Sequence, residues 1–367
     1  RAIIDDLYVD DAVDMLEELP ATIVRRVLQN SSPDTRKLIN QFLNYPENSA
    51  GSLMTIEYVD LHDYFTVRKA MDYIRRTGID KETVYTCYVI DDQRRLVGQV
   101  SLRKLIIAPE SACIRDIMDT NIVSAATTDD QEAVADDFRR YDLTSIAVCD
   151  KEGRLVGIIT IDDIVDVIQD ENTEDIKKMA AIIPSDEDYM KTSVWSLVAH
   201  RLPWLMLLMI SATFTSTIIT HFETLLSGAV LLTAFIPMLM DSAGNSGSQT
   251  SVTVIRNLAL GEIELRDWPH VLAKEIGVAI VSGAALALVN FLRIIIFTST
   301  SMMIAAVVSV TLFCTVIIAM IVGCLLPIGA KKLGFDPAVM ASPMITTIVD
   351  ACSLMIYFLI ATSMLGL

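Results

Sequence analysis

The chain has 367 residues, of which 52% are hydrophobic and 20% are charged, and its formal net charge is −17. The apolar content excludes a disordered chain, and only 15 glycines exclude a collagen-like one. Residues 1–200 hold 38 acidic and 22 basic side chains, a net charge of −16, whereas residues 201–367 hold 8 and 7, a net charge of −1. The acidic half argues against nucleic acid as a partner and favours cations.

The six cysteines are widely spaced and include no CxxC pair. This spacing excludes a disulfide framework and a cysteine zinc site, and it is typical of a reducing cytosol combined with a membrane.

Residues 1–51 contain two short amphipathic patterns, at 10–20 and 32–42, with acidic starts and proline breaks. They predict the C-terminal part of an acidic, all-helical domain. The chain begins with Arg1 and has no signal-peptide pattern, so we expect the natural start of the protein to lie upstream.

An internal repeat comes next in the chain. Residues 89–98 align with residues 148–157 at an offset of 59. Each copy has the pattern of a strand, an amphipathic helix, two strands joined by a polar turn, and a helix. Two such βαββα copies bury a shared sheet face, so they are expected to fold as a pair.

The repeat resembles tandem CBS domains over residues 52–170, with copies at about 52–113 and 114–170. Copy two reads Gly157-Ile-Ile-Thr160-Ile-Asp162-Asp163, which matches the G-h-h-T-x-x-D ending of that family. The resemblance implies an adenosine nucleotide such as ATP, bound by Thr160 and Asp163. A purely structural regulatory pair is the alternative. Copy one departs from the pattern, since Lys104 stands where the ending has Asp.

Residues 171–200 are predicted to be a connecting helix between the repeat and the second half of the chain. A polar helix starts near Glu174 and Asp175, residues 185–188 break it, and residues 189–200 lead into the first apolar run. Any signal from the acidic half has to pass through this segment.

Residues 201–367 contain five long runs with almost no charge. Because about 20 apolar residues cross a bilayer, these runs predict five transmembrane helices. Their spans are about 201–221, 225–254, 271–292, 301–326 and 339–363. The alternative, buried helices of a soluble protein, does not account for five such runs in 167 residues.

Basic residues predict the orientation of these spans. If the acidic half is cytosolic, seven basic residues lie inside and only Arg293 lies outside. The seven are Lys191, Arg201, Arg256, Arg266, Lys274, Lys331 and Lys332. We therefore expect a multi-pass protein of the plasma or inner membrane, with a cytosolic N-terminal half and the C-terminus outside.

Two of the predicted spans carry a carboxylate, Asp241 in the second and Asp350 in the fifth. An ionisable group in hydrocarbon is costly and normally faces a wet cavity or a partner. The second span also carries Gly244 and Gly247, for which close helix packing is the alternative explanation.

This domain order resembles the MgtE family of magnesium channels along essentially the whole chain. The motifs that carry the resemblance are Pro237-x6-Gly244-Asn245-x-Gly247-x-Gln249 and Asp336-Pro-Ala, Ser342-Pro343 and Asp350 at the final span. The implied fold is an α-helical membrane protein with five transmembrane helices, a cytosolic α/β tandem CBS pair and a short N-terminal all-α remnant.

The resemblance also implies a homodimer in the lipid bilayer, with a pore between its subunits that intracellular Mg²⁺ closes. It implies that Asp350 is the pore carboxylate and that Asp336 lies at the inner mouth. Glu174 and Asp175 are then the acidic pair that faces Asp336 from the connecting helix. Asp241 is a further metal candidate, either at mid-depth or near the inner mouth.

Elementary chemistry agrees with a passive Mg²⁺ channel rather than an enzyme. Mg²⁺ retains part of its water shell, so one or two carboxylates with carbonyl oxygens are enough to hold it. A regulated transporter of Mn²⁺, Co²⁺ or Ni²⁺ is the alternative, because such ligation admits several ions. An anion carrier is disfavoured by the isolated aspartate, and a membrane metalloprotease because neither His221 nor His270 is followed by Glu.

Overall fold

The computed structural model describes residues 8–17, 19, 23, 24, 27, 32–185, 189–222, 230–298, 300–340 and 342–366. The chain folds into two compact units, Arg1–Glu171 and Asn172–Leu367.

The first unit contains seven complete helices and six strands among its described residues, and an eighth helix runs from it into the second unit. In chain order they are α1 (Val9–Glu17), α2 (Pro33–Phe42), α3 (Ala50–Leu53), β1 (Asp60–His62), α4 (Val67–Thr77), β2 (Thr86–Ile90), β3 (Leu96–Ser101), α5 (Leu102–Ile107), α6 (Ile114–Ile117), β4 (Ser124–Ala126), α7 (Gln131–Tyr141), β5 (Ser145–Cys149), β6 (Leu155–Thr160) and α8 (Ile161–Met179).

The strands form two three-stranded sheets of identical topology. In each, the first strand pairs in parallel with the second, and the second pairs antiparallel with the third. The register shifts at Val89/Ile90 in one sheet and at Val148/Cys149 in the other, positions that are 59 residues apart. The βαββα repeat predicted from the sequence is therefore confirmed, including its offset.

The polar turn of each copy is built on an aspartate. The side chain of Asp91 accepts hydrogen bonds from two backbone N–H groups of its turn, and Asp150 does the same in copy two. The turn needs a left-handed residue, which is Gly153 (φ 75°) in copy two and Arg94 (φ 63°) in copy one. Glycine adopts this conformation without a Cβ penalty.

The two copies meet through a shared hydrophobic cluster that includes Tyr88 and Ile158. The Tyr88 hydroxyl lies 2.9 Å from Ser145 Oγ, and the Tyr58 hydroxyl donates to the carbonyl oxygen of Leu155 at 3.3 Å. These contacts agree with the expectation that the copies fold as a pair.

The N-terminal helices pack into the core of copy two. Leu16 of α1 and Phe42 of α2 belong to the same buried cluster as Phe138 and Ile146. The described part of residues 1–51 thus shares one hydrophobic core with the second βαββα copy.

The second unit begins within α8, and its regular elements among the described residues are all helices. Its further helices are α9 (Val194–His221), α10 (Ile236–Ala259), α11 (Trp268–Phe297), α12 (Met302–Lys332) and α13 (Ser342–Leu365), with 3₁₀ segments at Val230–Phe235, Leu265–Asp267 and Pro337–Met340. Helix α10 packs against α12 and α13, α11 packs against α12, and α9 packs against α13.

The connecting helix is the end of α8, which runs without interruption from copy two to Met179. Ala181 then has a left-handed φ of 55°, which ends the helical path. The described residues 180–185 and 189–193 lie outside any helix, and α9 starts at Val194 with Ser193 as its N-cap. The break predicted at 185–188 lies partly outside the described residues.

Four helical segments in the described part of the chain are long and apolar enough to cross a membrane: Val194–His221, Leu265–Phe297, Met302–Lys332 and Pro337–Leu365. Helix α10, which holds most of the predicted second span, is not among them. Its aspartate, asparagine, glutamine and serine side chains lower its mean hydropathy, so the count of five spans is not confirmed. The start of that span, residues 225–229, lies outside the described residues.

Candidate functional site

The two carboxylates predicted within the membrane half lie near each other. Asp241 is in the second turn of α10, and Asp350 is half-buried in the middle of α13. Packing of α10 against α13 brings them close enough for their charges to interact. The structure therefore brings together two residues that are 109 positions apart in the sequence.

Helix α10 has one polar, exposed face. Asp241, Asn245 and Gln249 follow one another at intervals of four residues, and all three are exposed. Residues four apart lie on the same side of an α-helix. Since α10 packs among apolar helices, this polar stripe is its most unusual feature.

The glycines of α10 lie on its opposite, buried face. A Cβ on Gly244 would lie 3.1 Å from Thr346 Cγ2 of α13, and one on Gly247 would lie 2.9 Å from Ile345 Cγ2. These glycines serve close helix packing, which was the alternative raised from the sequence. The packing holds α10 in the orientation that leaves its polar stripe exposed.

A second group of charged residues joins the end of α8 to the segment before α13. Lys178 Nζ donates to Asp336 Oδ2 at 2.7 Å and lies 2.6 Å from Glu174 Oε1. Asp336 Oδ1 accepts the backbone N–H of Ala338 at 2.8 Å, which holds its carboxylate at the start of the Pro337–Met340 turn. Glu174 and Asp336, which were predicted to face each other, are thus bridged by an ammonium group.

Lys178, which contacts both carboxylates, was not among the residues predicted from the sequence. Burial lowers its pKa, but the hydrogen bonds and charges of Asp336 and Glu174 outweigh this, and the pKa is raised. The ammonium therefore stays charged at neutral pH. Its spacing of four from Glu174 on one helix was a signal that could have identified it.

Two further contacts support this junction. Met179 packs with the buried side chains of Ile255 and Ala338, and Arg256 Nη1 donates to Asn172 Oδ1 at 3.0 Å. The end of α8 is therefore held against α10 and the turn before α13 by an apolar contact and by polar ones. Asp175 lies on the same helix and is half-buried.

Within the described ranges, no three or more His, Cys, Asp or Glu side chains are clustered so that they could hold a metal ion. A single chain supplies a pair of carboxylates at each predicted metal position, Asp241 with Asp350 and Glu174 with Asp336.

In copy two, the predicted nucleotide residues contact each other. Thr160, at the end of β6, is buried and donates from Oγ1 to Asp163 Oδ2 at 2.8 Å in the first turn of α8. The pKa of Asp163 is raised chiefly by burial, which the hydrogen bond from Thr160 counteracts, with Asp162 and Asp11 adding negative charge nearby. This arrangement suits a hydroxyl-rich ligand better than a bare anion, because the surrounding charge is negative.

Three family models match consecutive parts of the chain. The MgtE intracellular N domain matches residues 1–48, the CBS domain matches residues 50–111 and 114–170, and the divalent cation transporter model MgtE matches residues 236–360.

Three curated relatives are each named magnesium transporter MgtE. The protein of Thermus thermophilus is 37% identical over 99% of this chain and 80% of its own length. Those of Enterococcus faecalis and Bacillus subtilis are 34% and 35% identical, over 88% and 96% of this chain and 71% and 78% of their own lengths.

Two solved structures are also similar. The soluble part of a magnesium transporter is 38% identical, covers 46% of this chain and 66% of its own, and superposes with a TM-score of 0.45. The cytosolic domain of the Mg²⁺ channel MgtE in complex with ATP is 41% identical, covers 45% and 68%, and has a TM-score of 0.44.

Proposed function

The chain belongs to the MgtE family of magnesium transporters, multi-pass membrane proteins that are not enzymes, and from this we propose that it is a homodimeric channel for passive Mg²⁺ influx. Intracellular Mg²⁺ bound at acidic cytosolic interfaces closes it.

The observation that carries this proposal is the exposed polar stripe of Asp241, Asn245 and Gln249 beside Asp350. Lipid cannot solvate these groups, so in a membrane they face water or a second protein surface. A twofold axis beside the stripe would bring two copies of Asp350 together. Two carboxylates balance the charge of one divalent ion, which can keep part of its water shell.

A pore of this kind favours conduction over trapping. Conduction requires binding that is strong enough for entry and weak enough for exit. Water-mediated contact with a few carboxylates meets that requirement, whereas a dense carboxylate cage would retain the ion. The membrane potential supplies about 2.3 kcal/mol per elementary charge per 100 mV, so influx needs no coupled energy source.

In this channel α10 also crosses the membrane, as the second of five spans in chain order. Its 24 residues extend about 36 Å at about 1.5 Å per residue, enough to cross a hydrocarbon core of about 30 Å. With five spans the acidic half is cytosolic and the C-terminus is outside. The division proposed is a helical N-domain to 51, the CBS pair over 52–170, the connecting segment over 171–200 and the membrane domain from 201.

The gate of this channel lies at the junction between α8 and the turn before α13. Glu174 and Asp175 on α8 and Asp336 at the turn form an acidic interface at the proposed inner mouth. Carboxylates held close together repel unless a cation lies between them. Divalent ions bound there would favour the arrangement in which α8 is held against the pore domain.

An adenosine nucleotide is proposed at Thr160 and Asp163 of copy two, where ribose hydroxyls match the available acceptors. Because Asp162 and Asp11 add negative charge, we expect the nucleotide to bind as its Mg²⁺ complex. Equilibrium dialysis with ATP, with and without Mg²⁺, on the parent and on Asp163→Ala tests this. Equal binding by both proteins would exclude the site.

The experiment that tests the channel uses the purified chain in liposomes loaded with a Mg²⁺-sensitive dye. We expect Mg²⁺ influx without added ATP or a proton gradient, and with Asp350→Ala a fall to the rate of protein-free liposomes. Glu264→Gln is the matched control and should conduct normally. It removes the exposed carboxylate at the N-cap of the Leu265–Asp267 3₁₀ segment. Normal influx through Asp350→Ala would refute the pore assignment, and influx of chloride alone would refute the transport class.

A further inference from the structure

We propose that Lys178 is a tethered competitor of the gating ion: its ammonium and a divalent cation compete for the carboxylates of Glu174 and Asp336, and this competition sets the Mg²⁺ concentration at which the gate closes. The proposal deepens the gating function proposed above and rests on it.

The ammonium of Lys178 occupies one oxygen atom of each carboxylate. Lys178 Nζ lies 2.6 Å from Glu174 Oε1 and 2.7 Å from Asp336 Oδ2, distances typical of charge-assisted hydrogen bonds. The other oxygen of Asp336 already accepts the N–H of Ala338. An incoming cation therefore finds one oxygen of each carboxylate already occupied by the ammonium, and it competes with Nζ for these oxygens.

The ammonium also changes the net charge of the site. Two carboxylates carry −2, and the ammonium reduces this to −1. The attraction for a divalent ion falls accordingly. All three side chains are partly shielded from solvent, with exposed fractions of 23% for Lys178, 38% for Glu174 and 34% for Asp336. Partly buried charges are screened less by salt than exposed ones, so the reduction is felt at physiological ionic strength.

The backbone of α8 tethers the ammonium to the site. Lys178 is on the same helix as Glu174, four residues further along, so its ammonium is always within reach of the pair. Linked groups act at effective concentrations that are about millimolar for short flexible connections. A divalent ion therefore needs a higher concentration to occupy the carboxylates than it would need without the lysine.

A lysine side chain suits this competition better than an arginine side chain does. Lysine carries a compact point charge on a flexible stem, whereas arginine holds carboxylates through a rigid bidentate fork. A lysine can leave the carboxylates and return to solvent without breaking a paired geometry. The apolar contact of Met179 with Ile255 and Ala338 keeps the helix end in place while the side chain exchanges.

The test compares three variants of the full chain in liposomes. Lys178→Gln removes the competing charge and should lower the half-closing Mg²⁺ concentration about tenfold, equivalent to about 1.4 kcal/mol. Lys178→Arg strengthens the competitor and should raise that concentration. Lys177→Gln removes an equal charge one residue earlier, where Lys177 Nζ donates to the carbonyl oxygen of Ser185, and should behave like the parent.

A second readout does not depend on flux. Fe²⁺ with ascorbate and peroxide cleaves the backbone close to a bound ion, and Mg²⁺ protects by competition. We expect cleavage near residues 174 and 336, with half-protection in Lys178→Gln at about one tenth of the Mg²⁺ that the parent needs.

The outcomes separate the two proposals. If the parent closes independently of Mg²⁺ but the protection shifts in Lys178→Gln, the gating function fails and the competition stands. If protection is unchanged in Lys178→Gln, or if no cleavage occurs near either position, the competition is refuted. A higher half-closing Mg²⁺ concentration in Lys178→Gln would also refute the competition, because Lys178 would then stabilise the closed arrangement.

Discussion

Gly247 of α10 and Gly323 of α12 meet backbone to backbone where the two helices cross. A Cβ built on Gly323 would overlap the carbonyl oxygen of Gly247, and one built on Gly247 would lie 3.1 Å from the carbonyl oxygen of Ala319. Small residues allow membrane helices to approach this closely and gain packing energy. The crossing fixes the rotation of α10 and therefore the direction of its polar stripe.

Gly323→Ala should separate α10 from α12, because the atom it meets is backbone and cannot rotate away. We expect a loss of about 1–3 kcal/mol of stability and a strong reduction of Mg²⁺ flux. Thermal unfolding in detergent and liposome flux measure the two effects. Gly329→Ala, on the same helix but with open space around its Cβ, should be close to the parent. Equal stability of the two variants would contradict the close approach.

Glu174→Gln combined with Asp175→Asn should make the channel insensitive to intracellular Mg²⁺. The double variant removes both the repulsion at the inner mouth and the ligands that an ion would bridge to Asp336. We expect a higher open probability at high Mg²⁺ than in the parent, measured in single-channel recordings. Closure at the parent's Mg²⁺ concentration would place the sensor elsewhere on the acidic surface.

The proposed topology predicts which sites an impermeant thiol reagent can reach. In a background without the six native cysteines, a cysteine at Ser299 should react from outside the cell. A cysteine at Glu262, in the exposed segment between α10 and α11, should react only from inside. The same reagent applied to inverted vesicles is the control. Reversed labelling would mean that the number of spans or the side is wrong.

Asp163→Asn should stabilise the N-terminal half at neutral pH. Because burial raises the pKa of Asp163 in the folded state, folding favours its protonated form. Ionisation of this carboxylate therefore lowers the free energy of unfolding. The loss develops as pH rises from the unfolded pKa, about 3.9, through the folded pKa. Asparagine still accepts the hydrogen bond of Thr160 but does not ionise.

We expect the unfolding temperature of Asp163→Asn to exceed that of the parent at pH 7 and to converge with it below pH 4. Scanning fluorimetry across pH, with limited proteolysis of residues 1–200, follows this difference. Asp166→Asn, an exposed carboxylate on the same helix, is the control. A difference that persists unchanged at low pH would show that burial of the charge is not its cause.

The sequence by itself determined the local elements of this protein and its family. The repeat is visible because strand periodicity, the Asp91 and Asp150 turns and the Gly157–Asp163 ending depend on neighbours along the chain. The apolar runs are visible for the same reason. Asp350 and the glycine-rich helix could be identified as candidate sites because a carboxylate or a run of small residues is unusual within an apolar run.

Only the tertiary structure decided how these elements combine. Lys178 and Asp336 are 158 residues apart, and no periodicity relates them. Their ion pair exists because Met179, Ile255 and Ala338 pack the end of α8 against the helices beside it. The exposure of the Asp241 stripe likewise depends on the rotation of α10, which the contact of Gly247 with Gly323 fixes. Residue types identify the candidates for ion binding, but helix packing determines which charges meet, because salt screens exposed charges that are more than about 8–10 Å apart.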